Sequence, residues 1–296
     1  MKSSCYGASV FFIVIFAVAL AGCAGTLPSN STNEDRTPAI DGLPPKISAL
    51  FQKTKTVCFG RFMIDLPESA TIAWGTAAVP YDIEVYPKEG YKIKSQIKAK
   101  VDEITEEQHT EEPSMLIGVF DSVNPESKIV VGYESRHNTR GANFYSYIRL
   151  GDTAFVQESV SVPLVVGDKS ARLGIREDKT LYKKDVEELS DIARRLRLRT
   201  ENEIPDEQGV CIEEAFIAWP LDFCFERVQI GFYFPEVPDV NLSIQTTSTK
   251  KPSEDDTLEA GLRESRAMAT ESGLGGLFSR ITTLRKGKRN IGKWEG

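Results

Sequence analysis

Histidine is scarce: His109 and His137 are the two in 296 residues. That scarcity removes many ways of building a hydrolase or a metal site, since both lean on imidazole. The serine elbow G-x-S-x-G is absent. Gly132-Tyr133-Glu134-Ser135-Arg136 comes near it, but lacks the second glycine and the spacing. H-E-x-x-H, C-x-x-C and a phosphate-cradling glycine loop are missing too. Gly273-Leu274-Gly275-Gly276 is glycine-rich, yet it follows an expected helix instead of opening one, so it reads as a helix stop. His109 comes after Glu106-Glu107-Gln108 and reads as a solvated residue near a helix C-terminus. His137, in Ser135-Arg136-His137-Asn138, reads as a turn residue, and Glu134 before it is a metal hint that no second histidine supports. The expectation is a protein that is not an enzyme and carries no cofactor and no metal.

A long basic stripe is also lacking. The formal net charge is −7, which argues against nucleic acid as a partner. Arg194-Arg195-Leu196-Arg197-Leu198-Arg199 closes an expected helix, where cations suit the C-terminal end of the dipole. Arg285-Lys286-Gly287-Lys288-Arg289 reads as a hairpin turn. The carboxylate pairs Asp102-Glu103, Glu106-Glu107 and Glu111-Glu112 read as solvated faces.

Charge is almost absent from the N-terminus. Lys2 is the only charged residue before Glu34, and Ala8 to Gly22 is uninterrupted ASVFFIVIFAVALAG. A basic start and a short apolar core make a secretory signal, too short for a membrane span of about 20 residues. Leu20-Ala21-Gly22-Cys23 has the pattern of a bacterial lipobox. Residues 1–22 are therefore expected to be removed as a lipoprotein signal peptide. Cys23 would then become the first residue and carry acyl chains, palmitate among them. Each buried methylene contributes about 0.8 kcal/mol, so two or more chains anchor stably. Ala24 stands where an Asp would suggest inner-membrane retention, so the outer membrane is expected. Residues 23–45, rich in Ser, Thr, Asn and Pro, read as a flexible tether.

Five cysteines are present: Cys5, Cys23, Cys58, Cys211 and Cys224. Cys5 leaves with the signal and Cys23 is taken by lipid. In an oxidising compartment, Cys58–Cys211 and Cys211–Cys224 are the candidate disulfides.

Periodicity places the remaining elements. Lys46–Phe51 reads as a turn or two of helix, and Lys55–Ile64 as a strand. Ile83 and Val85 alternate with polar neighbours in a second strand. Ile93, Ile97, Val101 and Ile104 form a helical stripe. Residues 116–120, 128–134, 143–150 and 154–160 read as strands. A helix follows over 183–198, with Val186, Leu189, Ala193 and Leu196 inward. The acidic stretch 200–209, TENEIPDEQG, reads as a domain boundary. Beyond it, strands are expected at 210–218, 227–234, 240–246, 278–284 and 289–294. A helix is expected over 257–269, with Leu258, Leu262 and Ala269 inward. The fold class is therefore α+β, with N-terminal domain 46–200 and C-terminal domain 201–296, each a mainly antiparallel sheet with helices on one face. The order of elements suggests a structural duplication. The second half stops directly after a strand, so the expectation is either a truncated C-terminal domain or a small one whose last strand is poorly covered.

Two stretches are distinctive. One is Thr56-Val57-Cys58-Phe59-Gly60-Arg61-Phe62-Met63-Ile64-Asp65-Leu66-Pro67. The other runs from Glu203-Ile204-Pro205 through Gly209-Val210-Cys211-Ile212 to Phe216-Ile217-Ala218. With the lipobox, they resemble the two-domain immunity proteins cognate to phospholipase effectors of type VI secretion. The resemblance covers about residues 52 to 296, and its motifs are structural, not catalytic. Trp219-Pro220 and Cys224 do not belong to the pattern. The resemblance implies a periplasm-facing lipoprotein that binds a lipase toxin and keeps it off the membrane. Two domains would grip the toxin and block lid opening or active-site access. Trp74, Tyr81, Trp219 and Phe223 are the candidate aromatic anchors, expected to be exposed. The alternative is a non-catalytic structural or assembly lipoprotein of the envelope.

Overall fold

The structure, a computed structural model, describes residues 8–11, 45–168, 173–178, 180–219, 225–248, 258–279, 290–291 and 294–295. Cys5, Cys23, Phe223, Cys224, the tether and the turn at 285–289 lie outside them, as does most of the strand expected at 278–284.

The elements are β1 (Ala8–Phe11), α1 (Pro45–Leu50), β2 (Thr54–Phe59), β3 (Phe62–Pro67), β4 (Thr71–Ala78) and β5 (Asp82–Tyr86). A 3-10 turn at Gly90–Lys92 leads into α2 (Ile93–Glu106). A meander follows: β6 (Leu116–Asp121), β7 (Lys128–Ser135), β8 (Asn138–Leu150) and β9 (Thr153–Pro163). Next come β10 (Val165–Asp168), β11 (Leu173–Glu177), α3 (Tyr182–Arg195), β12 (Leu196–Leu198), β13 (Val210–Ile212) and β14 (Ala215–Ile217). The last are β15 (Glu226–Tyr233), β16 (Asn241–Ser248), α4 (Leu258–Glu271), α5 (Gly275–Phe278), β17 (Asn290–Ile291) and β18 (Trp294–Glu295). Antiparallel sheets with few helices make this an α+β fold.

Several expectations change. The strand foreseen at 55–64 is two paired strands, because Gly60 adopts a left-handed φ of 52° and the chain reverses there. The strand foreseen at 210–218 also breaks in two, at Glu214 with φ 52°. The helix foreseen to Leu198 ends at Arg195, and Leu196–Leu198 pairs with β14 instead. β4, β10 and β11 are additional strands.

The chain divides into two compact units. One comprises residues 1–57, 62–75 and 229–296; the other comprises 58–61 and 76–228. In the second unit the sheet runs β5-β9-β8-β7-β6, and a helix covers each face. Successive residues of β7 point to opposite sides. Ile129 and Val131 pack with Phe144, Leu164 and Leu189, on the side of α3. Val130 packs with Ile93, Tyr147 and Val156, on the side of α2. Two-sided burial corrects the expectation of helices on one face, and it accounts for the unbroken apolar run Ile129-Val130-Val131.

In the first unit β16 lies between β15 and β1. Gly273, with φ 75°, ends α4 as the glycine-rich stretch suggested. The inward stripe on α4 is corrected. Leu262 is 43% exposed, because α4 packs against α5 and none of its residues with described side chains is buried. No helix of the described residues is long and apolar enough to cross a membrane.

Candidate functional site: a cross-linked junction and exposed apolar surface

The two family-like stretches meet within the second unit. Cys58 and Cys211 form a disulfide across a sequence separation of 153, with a Cα–Cα distance of 5.8 Å. Of the two pairings left open by the sequence, the structure joins these. The cross-link sits in a backbone bridge: Gly60 N donates to Cys211 O at 2.8 Å, and Cys211 N donates to Gly60 O at 2.7 Å. Gly60 serves twice, turning the chain with its positive φ and pairing with the second motif. Gly209 is required by close approach. A Cβ there would stand 2.2 Å from the Phe216 ring and 2.3 Å from the Ile217 carbonyl oxygen.

Arg199 lies beneath this cross-link and is buried. Its Nη2 donates to Cys58 O and Ile212 O, both at 3.1 Å, and its Nε donates to Ala215 O at 3.1 Å. Nη1 donates to Thr200 O and Glu201 O. Burial pushes its pKa down from the ordinary arginine value, against the acids Glu203 and Glu201. A planar fork of N–H donors suits such a site, where carbonyls from three segments converge.

The rest of the arginine run is likewise structural. Arg195 and Arg194 pair with Asp191 on α3. Arg197 pairs with Glu203 at 2.5 Å and Glu207 at 3.2 Å, and its guanidinium lies 4.9 Å from the Phe216 ring centroid. The acidic stretch 200–209 is thereby stitched to β12 inside the second unit. The helix-dipole reading therefore covers Arg194 and Arg195 alone.

Arg61 of the first motif forms a second ion pair, Nε to Glu226 Oε1 at 2.6 Å, and donates to Trp219 O at 3.0 Å. Burial raises the Glu226 pKa, and Arg61 opposes that rise.

The candidate anchors fare differently. Trp219 is buried, with the Arg195 guanidinium 5.0 Å from its ring, so it is not the exposed aromatic expected. Its backbone is tied to the junction, where its carbonyl oxygen accepts from Arg61. Tyr81 is half-buried, and its hydroxyl donates to Asp185 Oδ1 at 3.2 Å and Glu188 Oε2 at 3.3 Å. Burial and these two acids raise its pKa. Burial and Asp185 in turn raise that of Glu188. Trp74, on β4, is half-buried, and Phe223 lies outside the described residues. Large apolar side chains that do face solvent are Tyr91 and Val160 in the second unit and Met63 in the first, each more than 60% exposed.

His109 is buried, which corrects the solvated reading. Its Nδ1 accepts the backbone N–H groups of Glu111 and Glu112, each at 3.0 Å. Its Nε2 is 3.2 Å from Asn138 O, where it donates, and its ring packs on Tyr133. His109 therefore pins the loop after α2 to the β7–β8 hairpin. His137 is exposed in the turn, beside Arg136. The acids of α2 are solvated, with Lys98 pairing Asp102 and Lys100 pairing Glu103. Among the described residues, no three His, Cys, Asp or Glu side chains are grouped to hold a metal ion.

These motifs build a structural scaffold within an α+β fold. Residues 55–199 match the model of the Tle cognate immunity protein 4 N-terminal domain, and residues 203–296 match that of its C-terminal domain. The chain belongs to the Tle cognate immunity protein 4 family. The resemblance read from the residues is thus borne out. A comparison with curated proteins finds no match.

Three solved structures are similar. The crystal structure of the Tle4–Tli4 complex matches with 25% identity over 81% of this chain and 72% of that one, TM-score 0.59. The apo immunity protein TplEi of the type VI secretion system from Pseudomonas aeruginosa shares the fold at 24% identity, over 82% and 74% of the two chains, TM-score 0.58. TplEi complexed with "L" peptide gives 22% identity over 83% and 73%, TM-score 0.54.

Proposed function

We propose that the protein binds and neutralises a Tle-type phospholipase at the periplasmic face of the envelope, anchored there through Cys23. The observation that carries this reading is the pair of consecutive family matches, 55–199 and 203–296, together with the likeness to a Tle4–Tli4 complex. Lipidation of Cys23 after removal of residues 1–22 holds the inhibitor at the membrane the toxin attacks. Residues 23–45 let the folded part stand off that surface. Tethering raises the local concentration of inhibitor over its target bilayer.

The two domains grip the lipase and block lid opening or access to its serine. Exclusion of this kind needs a standard interface, of about 1,600 Å² buried in total. An excess of acidic over basic residues steers a basic face of the partner toward the complex. Tyr91, Val160 and Met63 join Trp74 and Tyr81 as surface to be scanned for anchors.

The experiment is binding and protection together. The processed lipoprotein, purified in detergent, is mixed with the Tle4-type lipase of the same strain, and the lipase is also directed to the periplasm of cells making this protein. A complex with protected cells supports the reading; no complex and dying cells refutes it.

A further inference from the structure

We propose that the Cys58–Cys211 disulfide is a latch set once: it forms before residues 58–61 settle on β13, and the settled junction then keeps thiols in solution from reopening it. The oxidant that sets it rests on the envelope location in the proposed function; the shielding of the bond does not.

Both cysteines are out of reach in the folded chain. Cys211 is fully buried and Cys58 is 7% exposed. With Phe216 they form one buried cluster, and Ala218 packs against it. A disulfide is reduced only when a thiolate attacks one of its sulfurs, so the rate depends on access. Its formation from two thiols needs the same approach by an external disulfide. The bond is therefore made and broken only while this part of the junction is open.

Residues 58–61 are the segment that has to lift. Gly60 and Cys211 exchange two backbone hydrogen bonds, at 2.8 and 2.7 Å. Arg199 Nη2 donates to Cys58 O at 3.1 Å. Arg61 pairs with Glu226 at 2.6 Å and donates to Trp219 O at 3.0 Å. Phe59 lies within the segment and is itself buried. Contacts this closely spaced along the chain open as one local unit.

The setting step is two thiol–disulfide exchanges. The thiolate of one cysteine attacks a disulfide oxidant, forms a mixed disulfide and expels one of the oxidant's sulfurs as a thiolate. The thiolate of the other cysteine then attacks the protein sulfur of that mixed disulfide, which closes Cys58–Cys211 and expels the oxidant's second sulfur. The oxidant takes both electrons, and the two cysteine protons end on its two thiols. Oxidants of this class act outside the cytoplasm. Once residues 58–61 are down, the burial that would have excluded the oxidant excludes reductants as well. The chain thus reads the redox state of its surroundings during folding and not afterwards.

The test compares two rates in the processed lipoprotein, kept in detergent. Excess dithiothreitol is added in native buffer and, in parallel, in unfolding urea, and alkylation with mass spectrometry follows loss of the Cys58–Cys211 cross-link. Hydrogen–deuterium exchange without reductant, resolved to single residues, gives the protection of the Gly60 and Cys211 amides. Reduction is expected to be about a thousandfold slower, or more, in native buffer than in urea. That slowing should match the protection of the two amides to within about tenfold, since one opening governs both. Arg61→Gln, which loses the pairing with Glu226, should speed reduction and amide exchange together, by about tenfold. Native reduction as fast as in urea overturns the proposal. So does slowing that falls well short of the amide protection, because the bond is then reached without opening, and so does slowing far beyond it, because a larger unfolding is then required. A chain that binds no lipase would leave these rates unchanged, so failure of the latch and failure of the proposed function are told apart.

Discussion

Arg199 donates from Nη2 to the carbonyl oxygen of Cys58, 3.1 Å away, directly beside the bond that joins Cys58 to Cys211. One guanidinium and one disulfide thus hold together the two stretches that mark the family. The sequence distance between Cys58 and Arg199 is 141 residues, so neither feature is local.

The disulfide contributes mainly by restricting the unfolded chain. A closed loop with a separation of 153 residues is worth about 3–5 kcal/mol in the chain-entropy account. Cys58→Ser with Cys211→Ser is expected to lower stability by that amount. Urea unfolding, with and without reductant, measures it. The double variant should be indifferent to reductant, whereas the parent should fall toward it.

Replacing Arg199 leaves buried carbonyls without donors. Arg199→Met is expected to destabilise by about 3–5 kcal/mol, as when one side of a buried charge network is removed. Arg199→Lys recovers little, because an ammonium on a single stem cannot serve the Cys58, Ile212 and Ala215 carbonyls at once. Unfolding midpoints of the two variants check this; a Lys variant as stable as the parent would contradict it.

Gly209→Ala places a methyl group within 2.3 Å of backbone at Ile217, which cannot give way as a flexible side chain can. A loss of about 1–3 kcal/mol is expected from overpacking. Gly261→Ala is the control. A Cβ there meets nothing within 4 Å, so a change near zero or a small gain is expected.

Glu188 shows a pH dependence of known sign. Burial and Asp185 raise its folded pKa above the unfolded value. Such a carboxyl adds stability that is present below the unfolded pKa and is lost as pH rises through the folded pKa. At neutral pH its ionisation opposes folding. Glu188→Gln keeps an acceptor for the Tyr81 hydroxyl and removes that charge. The variant should have a higher urea midpoint than the parent at pH 7, and the difference should vanish near pH 4.

Much of this architecture was legible in the sequence. The Ile93, Ile97, Val101, Ile104 stripe gave α2, because a helix buried on one side keeps a 3.6-residue period. The four-strand meander was legible from its short runs of apolar and β-branched residues. The family stretches were legible as structural signatures, and Gly60, Cys58, Gly209 and Cys211 all act through backbone geometry or cross-linking. Arg199 was not legible. In a run of four arginines nothing marks the one whose partners are distant carbonyls, since backbone acceptors leave no trace in residue identity. Trp219 and His109 were hidden because each packs against other segments: Arg61 and Arg195 for Trp219, Tyr133 and Asn138 for His109. Leu262 misled in the opposite direction, because a periodic stripe states which face is apolar and not what covers it.

Anchoring and binding are separable in the proposed account. Replacing residues 1–23 with a cleavable signal that lacks the lipobox cysteine should release the protein from membranes and weaken protection in cells, while its affinity for the lipase in solution stays unchanged. Membrane fractionation and a growth assay read the first two outcomes. Full protection by the unanchored form would show that the anchor is dispensable.

The central claim is that this chain neutralises a phospholipase by binding it. Its most direct test is titration of a Tle4-type lipase of the same strain with the processed protein, following complex formation and phospholipid hydrolysis together. The account predicts a complex of about nanomolar affinity, as expected for a well-packed interface of standard size, and hydrolysis that falls to background as the protein reaches equivalence. Undiminished hydrolysis with no complex at micromolar protein would contradict it.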